Sequence, residues 1–469
     1  MSGILSYGSY LPYRRLQRAH IASAMGTPAG RGSRSVASYD EDATSMGVEA
    51  SRAALAHLPG GSGAEQVFFS TTRPPYLDKT NAGVLHAALG LDQDAFAVDM
   101  VGSVRSGVGA LKSALASSEA SLAVSADIRT GLPGGVDERD GGDGAAALLC
   151  AAAGEFIADY LGGDSASAEF LDRWRVPGEI ASKVWEERFG ESAYVPLAAA
   201  AVSRAFEQVG ITATDIDHLI VTGLQARAVR SVAKAVGVRP EALVDDLTGV
   251  VGNTGTAHPA LLLASVLDVA APAETIAVVV LADGVDVMIF RTTELLPSRR
   301  QPLGVRAQIE ASRDDLSYAK YLTWRGILRT EPPRRPDPVP PAAPPSYRSE
   351  RWKYAFVGSR CSCGTVHLPP ARVCMRCHAV DQVSPESMRE VKATIATYTI
   401  DHLTYSESPP AVVGVLDFDG GGRFQCQLTD VDPDSLSIGD RVEMTFRNVY
   451  TANGIHNYFW KARPVRGQD

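Results

Sequence analysis

The chain has 469 residues, 45% of them hydrophobic and 21% charged, and a formal net charge of −9. That length supports two or three domains with sizeable cores, and the acidic balance argues against a general nucleic-acid-binding surface. No apolar run reaches the length of a membrane span, and Met1-Ser2-Gly3-Ile4-Leu5 lacks a charged leader and reads as a first strand, not a signal peptide.

In chain order, Gly3 to Pro12 is predicted as a strand. Asp40-Glu41-Asp42 then opens a helix running to about Ala56, with acids in its first turn. Val67 to Ser70 is a short apolar run. Ala97 to Val101 is another, ending at Gly102-Ser103 and passing directly into an alanine-rich helix pattern, Ala110 to Ala116. A strand–turn–helix junction presents backbone N–H groups at a helix N-terminus, where they can hold a developing negative charge. Many enzymes place a nucleophile at such a turn. Here the side chains are Ser103, Val104 and Arg105, with no cysteine.

The pattern recurs downstream. Leu219 to Thr222 matches the run at Val67, and Val250-Val251-Gly252-Asn253-Thr254-Gly255 matches the turn and leads into the helix pattern Ala260 to Val269. Ile276 to Leu281 matches the run Ala120 to Val124 that follows the first helix. One βαβαβ unit used twice predicts a pseudo-dimeric α/β domain whose two turns face each other. The run Ser121 to Ser125 is expected to be a sheet edge that pairs in a homodimer. Between the halves, Phe170 to Arg175 and Trp185 to Phe189 form an insert rich in aromatics and arginine, suited to a cap, a dimer contact or an ordinary surface connection.

After Arg291 the α/β pattern stops. Arg306 to Leu328 reads as a helical connector and Glu331 to Pro345 as a stiff proline-dense linker. Four of the six cysteines then cluster as Cys361-Ser362-Cys363 and Cys374-Met375-Arg376-Cys377, while Cys150 and Cys426 stand alone. Two knuckles suit a tetrahedral structural zinc in a reducing cytoplasm better than a disulfide framework. The first knuckle is one residue short of C-x-x-C. That leaves open a site without metal, or His367 or His378 as a substitute ligand. Val391 to Pro464 alternates in short strands and reads as a small β-barrel without the basic, aromatic-studded face of a nucleic-acid binder. The expected units are 1–160 and 161–300 for the two α/β halves, 301–350 for the connector and linker, 351–385 for the ribbon and 386–469 for the barrel.

Gly8-Ser9-Tyr10-Leu11-Pro12, Asp40-Glu41-Asp42, Gly142-Asp143-Gly144-Ala145 and Gly252-Asn253-Thr254 resemble the thiolase superfamily, nearest its HMG-CoA synthase and ketoacyl synthase III branch. Residues 351–469 resemble the zinc-ribbon/OB domain that accompanies thiolase-like proteins acting on acyl-CoA. The resemblance implies a five-layered αβαβα domain followed by a zinc ribbon and an OB barrel. It also implies an acyl-CoA thioester as substrate, a structural zinc and a homodimer, with no nucleic acid or membrane partner.

The departures bear on chemistry. The family's cysteine frame, G-S-C-A-S-G, reads here Gly102-Ser103-Val104-Arg105-Ser106-Gly107. The family histidine position holds Leu224, and the acid of HMG-CoA synthases has no counterpart in Ser70-Thr71-Thr72-Arg73. Valine cannot form a thioester, so acyl transfer through Val104 is excluded. The Val104 N–H and the strand end Ala282-Asp283-Gly284 keep the makings of an oxyanion hole. The expectation is therefore carbon–carbon bond chemistry without an acyl-enzyme: a retro-aldol lyase acting on a 3-hydroxyacyl-CoA, for example with a steroid-like side chain. His258 is expected as base and Asn253 as donor, with Tyr76 and Asp283 as secondary candidates. The alternatives are a Claisen-type acyltransferase of HMG-CoA synthase type, using Ser103 as nucleophile, and a non-catalytic acyl-CoA-binding scaffold.

Overall fold

The computed structural model describes residues 2–28, 30–56, 58 and 63–467. In the first half, strands β1 (Gly3–Tyr10), β2 (Gln66–Thr71), β3 (Phe96–Val101), β4 (Ser121–Asp127) and β5 (Gly144–Ala151) lie in the spatial order β1-β5-β4-β2-β3. In the second half, β6 (Ala158–Ser167), β7 (His218–Gly223), β8 (Thr275–Leu281) and β9 (Gly284–Thr292) lie in the order β6-β9-β8-β7. The pairings repeat. β2 and β4 are parallel, as are β7 and β8, while β4–β5 and β8–β9 are antiparallel. A short antiparallel contact of Gly3 and Ile4 in β1 with β6 joins the two sheets. The counterpart of β3 is reduced to one bridge, Leu219 to Leu243, so the internal repeat is imperfect at the strand before the second turn.

Helix α1 (Ala43–Leu55) and α2 (Ala82–Leu89) cover one outer face. Helix α4 (Glu187–Val209) and α5 (Ala226–Val236) cover the other. Between the sheets lie α3 (Arg105–Ala116) and α6 (His258–Leu267), sharing one apolar core with strands of both sheets. The sequence dictates this placing. HPALLLASVL is apolar on nearly every side, as a helix with sheet above and below must be. β4 and β5 are buried along their whole length, so their runs are continuous rather than alternating. The expected dimer edge at Ser121 to Ser125 is thus corrected: β4 lies between β2 and β5. The edge strand is β3, with Phe96 55% and Val101 47% exposed.

Helices α7 (Val305–Glu310) and α8 (Tyr318–Trp324) lead to an exposed linker. Beyond it, β10 (Val357–Cys361), β11 (Val366–His367) and β12 (Val383–Ser387) form a three-stranded ribbon. A closed barrel follows, built of β13 (Ala393–Asp401), β14 (Ala411–Phe418), β15 (Arg423–Leu428), β16 (Arg441–Ala452) and β17 (Ile455–Pro464). Burial in β14 alternates residue by residue, as one wall of a small barrel requires.

A buried ionic cluster locks the barrel to the α/β domain. The acids expected in the first turn of α1 lie before it: the helix starts at Ala43, and Asp42 caps it by accepting the Ser45 N–H while also accepting the Tyr458 hydroxyl at 2.7 Å. Asp40 pairs with Lys461 at 2.8 Å. Arg447, with no exposed side-chain surface, lies 3.0 Å from Glu41 and 2.8 Å from Asp430. Arg463 joins Glu49 at 3.1 Å. Burial alone would raise the Glu49 carboxyl, but Arg52 and Arg463 overcome it and hold it at about 2. The acidic triplet that reads as a helix start is therefore chiefly a docking surface for β16 and β17.

Candidate active site and metal centre

The two turns meet. Gly102 adopts φ 125° and its N–H reaches the Thr71 carbonyl at 3.4 Å. Any side chain at Gly107 would run into the Thr256 carbonyl, so glycine is needed where α3 crosses the second turn. The hairpin between β8 and β9 closes the third side. The Arg105 guanidinium donates to the Asp283 carbonyl at 2.7 Å, to Ser167 Oγ at 2.9 Å and to Asp286 at 2.8 Å. Arg105 thus ties the first turn to the strand end that was expected to complete an oxyanion hole with Val104. Asp283 sits at φ 48°. Its side chain is exposed and its carboxylate forms no ion pair among the described residues.

Asn253 stands at the centre. Its Nδ2 donates to the Gly223 carbonyl at 3.0 Å, and its Oδ1 accepts the Gly255 N–H at 2.9 Å. This brings it beside Leu224, which packs on the same central core as the buried Val104. The two positions at which the resemblance places a nucleophile and its base are therefore both apolar. Ser103 makes no hydrogen bond to an imidazole among the described residues. The Thr72 hydroxyl, where an acid would stand, donates to the buried Asp127 at 2.9 Å. The other oxygen of Asp127 accepts the Thr256 N–H at 2.9 Å.

Tyr76 lies away from the turns, and His258 lies beside the second turn with its ring buried. Tyr76 docks on the barrel: its hydroxyl accepts the His456 backbone N–H at 2.8 Å and its ring lies 4.7 Å from the His456 ring. His258, first residue of α6, is 1% exposed. Its Nδ1 faces the Thr254 N–H and hydroxyl, both at 3.3 Å, and its Nε2 has no partner among the described residues. An enclosed imidazole of this kind suits packing rather than proton exchange with a substrate.

Burial pushes the His258 pKa down to about 4, against a usual 6.5. The ring stays neutral in the folded chain while the unfolded chain takes up a proton below pH 6.5. The unfolded state then binds more protons, so stability falls as pH drops from 6.5 towards 4. The loss expected from this group is about 3 kcal/mol at 1.36 kcal/mol per pH unit. His258→Gln should flatten that part of the profile in urea melts taken across this window. An unchanged slope would place the proton uptake on another group.

The insert reads in sequence as a cap, a dimer contact or a surface connection, but where its arginines point is not legible there. The insert forms a small hairpin, Arg173–Trp174 paired with Lys183–Val184. Arg173 is anchored to Asp137 at 2.6 Å, and Asp172 accepts from Tyr194 at 3.2 Å and Gln225 at 3.3 Å, so the insert bridges both halves. It carries Arg175 onto the Thr72 carbonyl, while Arg129 Nη1 reaches the Thr72 hydroxyl at 3.3 Å.

The four cysteine sulfurs of the ribbon lie within 4.8 Å of one another, with Cys361–Cys377 and Cys363–Cys374 each at 3.6 Å. Tetrahedral zinc with Zn–S near 2.3 Å places thiolates roughly 3.8 Å apart, so the short first knuckle does not prevent a fit. Cys361, Cys363, Cys374 and Cys377 would hold the ion in a closed set with no position left for substrate. His367 sits buried beside Cys374 as a neighbour of its sulfur. Full-length protein purified without chelator should carry one zinc per chain by metal analysis, and Cys374→Ser should lose it. Metal-free native protein would refute the assignment.

Comparison with known proteins agrees with this architecture. Residues 206–288 match the family model of the 3-oxoacyl-[acyl-carrier-protein] synthase III C terminus, and residues 389–447 match that of the ChsH2 C-terminal OB-fold domain. The hydroxymethylglutaryl-CoA synthase of Pyrobaculum aerophilum is 29% identical over 347 residues, covering 70% of this chain and 98% of the relative. That of Pyrococcus furiosus is 29% identical over 283 residues, covering 58% and 81%. A solved HMG-CoA synthase complexed with CoA superposes with a TM-score of 0.58 at 16% identity, covering 68% of this chain and 89% of that one. The 3-oxoacyl-(acyl carrier protein) synthase III of Pseudomonas aeruginosa gives 0.55 at 23% identity, covering 62% and 98%. No helix among the described residues is long and apolar enough to cross a membrane. The chain carries the thiolase-like α/β fold of the HMG-CoA synthases and 3-oxoacyl-ACP synthases III, followed by a cysteine-bearing ribbon and an OB-fold domain of the ChsH2 C-terminal kind.

Proposed function

We propose that the protein binds an acyl-CoA thioester where the two turns meet and works on the carbon–carbon bond next to the thioester, in the manner of an HMG-CoA synthase but without a covalent acyl-enzyme. The likeness to HMG-CoA synthases over most of the chain supports the substrate class. The observation that carries the mechanistic half is that Val104 and Leu224, both apolar, face the same central core, with Leu224 next to the Gly223 carbonyl that Asn253 holds. Backbone N–H groups need no particular side chain, so those of Val104 and Gly284 remain to hold an enolate oxygen. Asp283 is the candidate base and the second Asn253 Nδ2 hydrogen the candidate donor. Retro-aldol cleavage of a 3-hydroxyacyl-CoA is the reverse of aldol-type addition, and the same groups serve both directions. The homodimer expected at Ser121 to Ser125 is moved in this reading to the exposed edge of β3. A second reading, an acyl-CoA-binding subunit without turnover, draws on that same apolar pair.

The test is to incubate the purified protein with acetyl-CoA plus acetoacetyl-CoA, and separately with 3-hydroxyacyl-CoAs, and to follow products and intact protein by mass spectrometry. New or cleaved carbon–carbon products with no protein adduct are expected. An acyl adduct would overturn the non-covalent mechanism, and binding without product would leave the subunit reading.

A further inference from the structure

Around Thr72 the fold concentrates positive charge against the net charge of −9 of the whole chain. Arg73 follows it in sequence, Arg129 reaches its hydroxyl and Arg175 its carbonyl. None of the three forms an ion pair with a carboxylate among the described residues. The nearby acids are already committed: Asp137 to Arg173, Asp143 to Arg34 and Arg325, and Asp127 to Thr71, Thr72 and Thr256. Burial lowers the pKa of Arg73, and its neighbours Arg175, Arg325 and Arg129 lower it further. Burial likewise lowers that of Arg129, with Asp127 only partly offsetting it. All three residues keep part of their surface exposed.

The place of the cluster is set by both turns. Thr71 accepts the Gly102 N–H, and the Arg129 Cδ lies 3.0 Å from where a Cβ on Gly255 would stand. Resting on the acyl-CoA reading above, we infer that Arg73, Arg129 and Arg175 form a carboxylate-recognition site that selects acyl-CoA substrates whose acyl chain ends in a second carboxylate. Arginine forks match carboxylates in a bidentate way, and partial burial strengthens the pair. The phosphates of CoA are the other oxyanion source, but a whole pantetheine arm separates them from the thioester, whereas these arginines adjoin the turns.

The test compares binding of free CoA, butyryl-CoA and glutaryl-CoA to the full-length protein by calorimetry, together with free glutarate by thermal shift. Wild type should bind glutaryl-CoA at least tenfold more tightly than butyryl-CoA. Arg175→Gln and Arg73→Gln should abolish that preference and leave free CoA affinity unchanged. Equal affinities in wild type, or a loss shared by free CoA, would overturn the proposal, the latter moving the cluster to the phosphates. If no CoA species binds but glutarate stabilises wild type and not Arg175→Gln, the acyl-CoA reading fails while a carboxylate site remains. If neither binds, both fail.

Discussion

Arg447→Met should destabilise the protein by about 3–5 kcal/mol, the usual cost of removing one partner from a buried ion pair. Arg447 has no exposed side-chain surface and faces Asp40, Glu41 and Asp430 together. Taking away the guanidinium leaves three carboxylates in an enclosed space, with Lys461 and Arg466 as the nearest remaining cations. Burial already raises the Glu41 carboxyl, and Arg447 is the chief influence holding it down, so in the variant Glu41 should take up a proton. The loss should therefore be larger at neutral pH than near pH 5, where protonation is cheap. Limited proteolysis gives a second reading, since a barrel released from α1 uncovers the buried faces of β16 and β17. A urea midpoint equal to wild type, with an unchanged proteolysis pattern, would show that apolar packing alone holds the barrel.

That docking surface marks where sequence reading ran out. Asp40-Glu41-Asp42 has the local signature of a helix start, and Asp42 does cap α1. Nothing local says that Arg447 and Lys461, some four hundred residues later, will fold onto it. The elements with strong local patterns were legible: β4 and β8 as apolar runs, α3 and α6 as helices after glycine turns, the cysteine knuckles and the alternating barrel strands. The sheet edge was not, because a continuous apolar run marks a strand buried on both faces and not one at the rim. β3, which is the rim, reads FAVDMV, no more polar than its neighbours.

The site divides in the same way. Val104 and Asn253 were singled out because they sit on the two repeated turns, and Asp283 and Gly284 because they end a strand; Arg105 ties that strand end to the first turn. His258 was chosen by elimination as the histidine nearest a turn. Sequence distance does not report that its ring points into the central core, closed in by Thr254. The arginines around Thr72 come from three separate stretches, and only the arginine content of the insert hinted at them.

The largest chemical effect is expected from restoring what the two turns lack. Val104→Cys places a thiol at the N-terminus of α3, where the helix dipole and free N–H groups favour the thiolate. Alone it should react slowly with acetyl-CoA, because Leu224 offers no proton acceptor. Adding Leu224→His sets an imidazole next to Asn253, whose link to Gly223 fixes that turn. Both replacements are close in volume to the originals, so the packing cost should be modest. A positioned base is typically worth 10²–10⁴-fold, and the double variant should acetylate faster than Val104→Cys by about that factor. Wild type should show no adduct at all. The readout is intact mass after timed incubation with acetyl-CoA, with circular dichroism to confirm folding. A folded double variant that takes up no acetyl group would mean that the thioester does not reach the turn at Val104. The acyl-CoA site would then have to be sought away from the junction of the two halves.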